Sequence, residues 1–294
     1  MERGIAKINY RHAFHAGNFA DVAKHAVLAR ILVYLAQKAA PFRFIDTHAG
    51  AGRYDLAGPE ARRSPEWRDG IGRVLKAEPP APVAALLEPY LRAVGSCEPS
   101  GAPRAYPGSP AIAQALMRPQ DRLALCEAHP EEREKLVAAL GRDSRLSIVG
   151  TDGYVALNAY LPPKERRGLV LIDPPFEEPD EPRRVEQALA RALEKWPTGV
   201  YLAWRPIRER AADAHFLNSV AALGRPNMLR LEIDVGPGPA GAHGQEPLAR
   251  TGLIVVNPPH TLFGEAKLLF PWLAGLLARS GEGRFVCDWL TEPR

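Results

Sequence analysis

Asp173-Pro-Pro-Phe176 is the stretch whose residue types and spacing promise the most chemistry. The exocyclic amino nitrogen of adenine is a poor nucleophile, because its lone pair is delocalised into the ring. If the Asp173 carboxylate and the backbone carbonyl of Pro174 each accept one N–H, the nitrogen is oriented and its lone pair turns toward an incoming methyl group. The prolines fix that carbonyl by locking φ. Phe176 offers a face on which a base can stack, a contact that contributes roughly 1–3 kcal/mol per base. A positively charged sulfonium makes its methyl group reactive, so alignment rather than a strong base should govern the rate. A bland alternative is a Pro-Pro strand terminator with an incidental aspartate. A second stretch, Asn257-Pro-Pro-His260, repeats the pattern with histidine in place of the aromatic. It follows a different kind of strand and is read as structural or substrate-lining.

In an open α/β sheet the ligand lies beyond the carboxyl ends of the strands, so polar residues there carry weight. Asp46-Thr-His-Ala-Gly-Ala-Gly52 follows the first strand, and Gly50 and Gly52 let the backbone approach a ligand closely. Glu127 follows the second, placed for the two hydroxyls of a ribose. Thr151-Asp152-Gly153 ends the third, with a carboxylate able to accept from an adenine amino group. The fourth ends in Asp173. Taken singly these are a common turn, a solvated acid and a routine Asp-Gly turn. Their order on consecutive strands, glycine loop, ribose, adenine, catalytic site, points to S-adenosylmethionine as cofactor.

Apolar runs of strand length recur at 42–46, 123–127, 146–150, 169–173, 200–204, 229–235 and 253–257. A helix is predicted over Glu181 to Trp196, where Val185, Leu189, Leu193 and Trp196 form one apolar stripe. Apolar strands alternating with such helices predict an α/β fold of the class I Rossmann-like type, a mostly parallel seven-stranded sheet covered on both faces. The last two strands leave no room for a helix between them and are expected to pair as an antiparallel hairpin at the sheet edge. The first and second strands lie too far apart for a simple crossover. A small inserted helical subdomain is therefore expected over 54–106, with helices near 65–77 and 82–94, dividing a Rossmann-like domain of 1–53 and 107–294.

The chain has 294 residues, 46% of them apolar, enough for a substantial core. Its net charge of +4 is concentrated in residues 1–48, which hold seven Lys/Arg against three acids and four of the eight histidines. Such a lobe suits a phosphate-bearing partner better than diffuse basicity does. Cys97, Cys126 and Cys287 show no CxxC spacing and are expected to be reduced and structural. The opening residues lack the apolar core of a signal peptide, and no stretch reaches the roughly 20 apolar residues that span a bilayer, so a cytoplasmic protein without membrane contact is expected. No obligate protein partner is indicated. His12, His15, His25 and His48 with Asp21 and Asp46 raise the rival of a metal-dependent hydrolase, but their spacing matches no helical HExxH arrangement. Asn18 to Val27 reads better as a capped helix start, and no metal is expected.

The segment Tyr10-Arg-His-Ala-Phe-His-Ala-Gly-Asn-Phe-Ala-Asp-Val-Ala-Lys-His25 resembles the amino-terminal signature of the RlmJ family. Members of that family form N6-methyladenine in 23S ribosomal RNA. The resemblance continues through Asp46–Tyr54, Tyr106–Pro110, Glu127–Pro130, Asp152-Gly153 and Arg167–Pro175, covering essentially the whole chain. It implies that His25, His48, Ser109, Glu127, Asp152 and Gly153 contact the cofactor, as do Gly50 and Asp173 at the loop and the catalytic motif. Asp173, with Pro174 and Phe176, is then catalytic. It places Tyr10 near the RNA, with Arg11 and Lys24 of the same signature beside it, Lys24 in a supporting role. Phe176 stands where members usually carry tyrosine, so a phenolic hydrogen bond would be lost while stacking survives. The amino end is a few residues longer than the family pattern. A DNA adenine-N6 methyltransferase shares the Asp-Pro-Pro-aromatic motif and is the nearest alternative. A non-catalytic RNA-binding module is the alternative outside enzymes.

Overall fold

The computed structural model describes residues 11–95, 103–238 and 247–293. Asn18 starts α1 (Phe19–Ala36), its Oδ1 accepting from the amides of Ala20 and Asp21. Then come β1 (Arg43–Asp46), β2 (Arg53–Asp55), α2 (Pro59–Arg63), a 3₁₀ turn at Glu66–Arg68, α3 (Ile71–Val74), α4 (Ala81–Val94) and β3 (Ala105–Pro107). The remainder alternates: α5 (Ser109–Leu116), β4 (Arg122–Cys126), α6 (Pro130–Leu140), β5 (Leu146–Val149), α7 (Gly153–Tyr160), β6 (Gly168–Ile172), α8 (Glu181–Lys195) and β7 (Val200–Pro206). It closes with α9 (Arg210–Ala221), β8 (Met228–Asp234), β9 (Arg250–Val256), α10 (Leu262–Leu277) and β10 (Arg284–Thr291).

The strands form one eight-stranded sheet in the order β5-β4-β1-β6-β7-β9-β8-β10, parallel from β5 to β7 and antiparallel beyond. The α/β class and the mostly parallel sheet agree with the sequence. The count and the edge do not. The β8–β9 hairpin is not the edge, because β10 pairs with β8 along its outer side, Cys287 opposite Leu231. That strand is half-exposed and mixes polar with apolar residues, so it lacks the buried run that reveals the central strands. Strand alternation splits the core: Leu169 and Leu171 pack under α1, α4, α5 and α10, while Val170 and Ile172 face α7, α8 and α9. Each fully buried side chain of this size contributes about 1.5–3 kcal/mol.

Between β1 and β4 the chain makes a detour whose ends are joined by the β2–β3 pair, Arg53 opposite Pro107. The helix expected over 65–77 is broken into the 3₁₀ turn and α3. The amide of Ile71 donates 2.8 Å to the carbonyl of Gly17 instead of continuing a helix from Trp67. The second expected helix is α4, which buries Leu87 and Tyr90 against the same core as α1.

Candidate active site

Parallel register assembles the site. Asp46 lies opposite both Leu125 of β4 and Leu171 of β6, so Glu127 and Asp173 emerge two residues further on at either side of it. Val149 is level with Cys126, which brings Asp152 to the same rim. Ala203 is level with Ile172, so Trp204 stands beside Asp173. The residues expected at four strand ends thus share one edge of the sheet.

The β1 loop turns at Gly50, whose φ of +61° strongly favours glycine. Its amide donates 2.8 Å to Glu127 Oε2, while Oε1 accepts from the amide of His129 at 2.7 Å. Two backbone donors leave acceptor directions free on this carboxylate, which fits a ribose diol. Burial pushes the Glu127 carboxyl up from its usual range. Asp46 is fully buried, taking the Ser109 hydroxyl at 2.7 Å and the His48 amide at 3.2 Å. Burial, with the nearby charge of Asp173, raises it to about 7. A buried acid of this kind suits a cationic ligand, which would favour its charged form. Burial drives His48 down to about 4, and its Nδ1 lies 2.8 Å from Thr47 Oγ1. Asp152 caps α7, its Oδ1 accepting from the amides of Tyr154 and Val155. Gly153 is pressed against the β1 loop, where an added Cβ would meet the Thr47 carbonyl oxygen at 1.9 Å. The donor and acceptor set therefore fits an adenosyl cofactor.

Beneath Asp173 lies a buried ionic chain. Lys24 Nζ is 2.5 Å from Asp173 Oδ2 and 2.9 Å from Asp21 Oδ1. Asp21 Oδ2 in turn accepts from the Gly17 amide at 2.9 Å and lies 2.8 Å from His12 Nε2. Burial opposes charge on Lys24, but Asp173 and Asp21 outweigh it and raise its pKa far above the usual ammonium range. Burial likewise opposes the charge of Asp21, yet His12 and Lys24 hold it well below the usual carboxylate range. Lys24 is enclosed, its side chain 5% exposed, and so it faces the Asp173 carboxylate rather than a phosphate backbone. This departs from its expected place at the RNA surface. Phe176 adopts φ +52° and is half-buried, with its ring edge-to-face against Trp204 at 5.5 Å. A non-glycine residue in that region carries backbone strain.

His25 is buried among aromatics, its Nδ1 2.7 Å from the Tyr106 hydroxyl, which is 2.8 Å from that of Tyr90. Burial lowers it to about 3 and keeps it neutral. Arg11 is exposed and lies 3.7 Å from Glu131, at the start of α6. Tyr10 lies outside the described residues, as do residues 1–8 and Cys97. Asn257 shares the φ of Phe176 but turns away from the rim, donating to the carbonyls of Pro197 and Gly199 at 2.9 and 2.7 Å. It is a strand-end clamp. Among the described residues no group of three His, Cys, Asp or Glu side chains gathers as a metal site. No described helix is long and apolar enough to cross a membrane.

Nothing in the sequence marks Trp204 as a neighbour of Asp173, because a tryptophan in an apolar run reads as core. Asp21 reads there only as a candidate metal ligand or as part of a helix start. The spacing of three between Asp21 and Lys24 was the available sign that the two pair on one helix face.

Residues 39–291 match the family described as RsmJ, ribosomal RNA large subunit methyltransferase D, RlmJ. The chain is 38% identical over 283 residues to the ribosomal RNA large subunit methyltransferase J of Escherichia coli (strain K12), covering 96% of this chain and 99% of that one. It is 36% identical over 286 residues to the protein of the same name from Haemophilus influenzae, covering 97% and 99%. A crystal structure of a Legionella pneumophila protein superposes with a TM-score of 0.83 at 33% identity, covering 94% of this chain and 98% of that one. With the strand-end residues gathered at one rim and the match running nearly end to end, the chain belongs to the RlmJ family of ribosomal RNA large subunit methyltransferases.

Proposed function

We propose that this protein transfers the methyl group of S-adenosylmethionine to the N6 amino group of an adenine in 23S ribosomal RNA. The observation that carries the reading is the Asp173 carboxylate at the end of central β6, one rim shared with Gly50, Glu127 and Asp152. The cofactor supplies an electrophilic methyl group. His25, His48, Gly50, Ser109, Glu127, Asp152 and Gly153 bind it, with Asp173 facing the methyl position. Asp173 and the Pro174 carbonyl accept the two amino hydrogens and aim the nitrogen, while Phe176 stacks on the base. Lys24 holds Asp173 in place, and Tyr10 and Arg11 contact the RNA. Residues 54–106 are taken as an insertion in the domain of 1–53 and 107–294, supported by the β2–β3 pair that joins its ends. A ribosomal RNA substrate supports a cytoplasmic location, and action without an obligate protein partner is part of the same reading.

The test is mass mapping of N6-methyladenine in 23S ribosomal RNA after incubation with the enzyme and S-adenosylmethionine, alongside DNA of matching sequence. Methylation of the RNA that disappears with Asp173→Ala is expected. Methylation of the DNA alone would overturn the substrate assignment, and full activity of the variant would overturn the motif's role.

A further inference from the structure

Asp152 is held from two sides. Its Oδ1 takes two amides at the start of α7, at 2.8 and 3.2 Å, and its Oδ2 accepts from Arg184 Nη2 at 2.7 Å. Arg184 projects from the first turns of α8, which shares no backbone pairing with the rim. Its Nη1 is 3.5 Å from Glu181 Oε1 and its guanidinium lies 4.6 Å from the centre of the Tyr154 ring. Glu181, only 2% exposed, accepts the Tyr154 hydroxyl at 2.7 Å. The same ring meets His48 edge-to-face at 5.1 Å. Arg184 is therefore braced by a buried acid and an aromatic face, unlike a freely rotating surface arginine. Asp152, the residue it grips, is the one assigned to the cofactor's adenine.

We propose that Arg184 is a positioning residue that makes the site read the 6-amino group of the cofactor's purine, by fixing the direction in which Asp152 Oδ2 presents its remaining lone pair. The inference rests on the assignment of Asp152 made above. A carboxylate offers about four acceptor directions. Two amides occupy Oδ1 and the guanidinium occupies one side of Oδ2, so a single acceptor direction is left. A 6-amino group donates into it. A 6-oxo group would set acceptor against acceptor, and sites built around one such hydrogen bond discriminate strongly against analogues that cannot make it. Without the guanidinium, the carboxylate is tethered through Oδ1 alone, and Oδ2 is free to turn or to take water in place of the base.

The experiment is calorimetric binding of S-adenosylhomocysteine and of its deaminated analogue, S-inosylhomocysteine, to the full chain and to Arg184→Met and Arg184→Lys. The side chain is partly exposed and lies within a helix, so both variants retain good helix formers there. The wild type is expected to prefer the amino ligand by about 30-fold, the lysine variant by less, and the methionine variant by no more than about threefold. An unchanged preference in Arg184→Met would overturn the proposal even if both affinities fell, because a uniform loss is what a merely structural role gives. Equal binding of both ligands by the wild type would overturn it through Asp152 while leaving cofactor use intact. Binding of neither would instead refute the proposed function, and the inference with it.

Discussion

Lys24 Nζ lies 2.5 Å from Asp173 Oδ2, joining the first long helix to the end of the central strand across 149 positions of sequence. The other face of the ammonium meets Asp21, and Lys24 and Asp21 are almost closed to solvent while Asp173 keeps 15% of its side chain exposed. A carboxylate so held is a fixed acceptor, suited to orienting an amino group. Asp173→Ala is expected to lower kcat by at least about 10²-fold with cofactor affinity largely retained. Calorimetry and single-turnover methylation check the two halves separately.

Removing the cation should be costly in a different way. Lys24→Met leaves Asp21 and Asp173 without their shared partner, and loss of one member of a buried ionic set costs about 3–5 kcal/mol. Thermal melting should show a clear drop for Lys24→Met. A melting temperature equal to that of the wild type would mean that the ionic chain is not formed in solution.

The buried carboxyl of Asp46 gives a pH signature. Burial raises it to about 7 in the folded protein, whereas an unfolded chain releases that proton near the ordinary aspartate value of 3.8. The folded state then binds more protons than the unfolded state between those values, so this group's contribution to stability falls as pH rises through that window. Asp46→Asn cannot ionise, and its melting temperature relative to the wild type should climb from pH 5 to pH 8. A difference that stays flat over that range would contradict the burial of an ionisable group there.

Phe176 is expected to act by its face. Phe176→Ala should raise KM for an RNA substrate by about 5- to 150-fold, the equivalent of one stacked base. Phe176→Tyr should stay within about threefold of the wild type, since the edge contact with Trp204 leaves the ring in place. Wild-type kinetics in the alanine variant would remove stacking from the account.

The duplicate motif provides a control. Asn257→Ala removes two hydrogen bonds to the carbonyls of Pro197 and Gly199 and places alanine at φ +52°. A loss of about 1–3 kcal/mol in stability is expected, with kcat within about twofold at temperatures where the variant is folded. A loss of turnover as deep as that of Asp173→Ala would mean that Asn257 takes part in chemistry.

The parallel half of the sheet was legible in the sequence, because β1, β4, β6 and β7 carry mostly buried apolar runs and even the half-exposed edge strand β5 keeps Leu146, Ile148 and Val149. It also determined the order of Gly50, Glu127, Asp152 and Asp173, since residues just past such strands all fall at one rim. It could not determine which side chains meet there from elsewhere. Lys24 reaches Asp173 only because α1 packs under β6, and Arg184 reaches Asp152 only because α8 packs against α7. The edge strand β10 was hidden for a related reason: it is half-exposed, Asp288 interrupts its apolar residues, and only pairing with β8 reveals it. Local pattern reports burial, which each residue experiences for itself. Partners distant in sequence are chosen by packing, which no single stretch encodes.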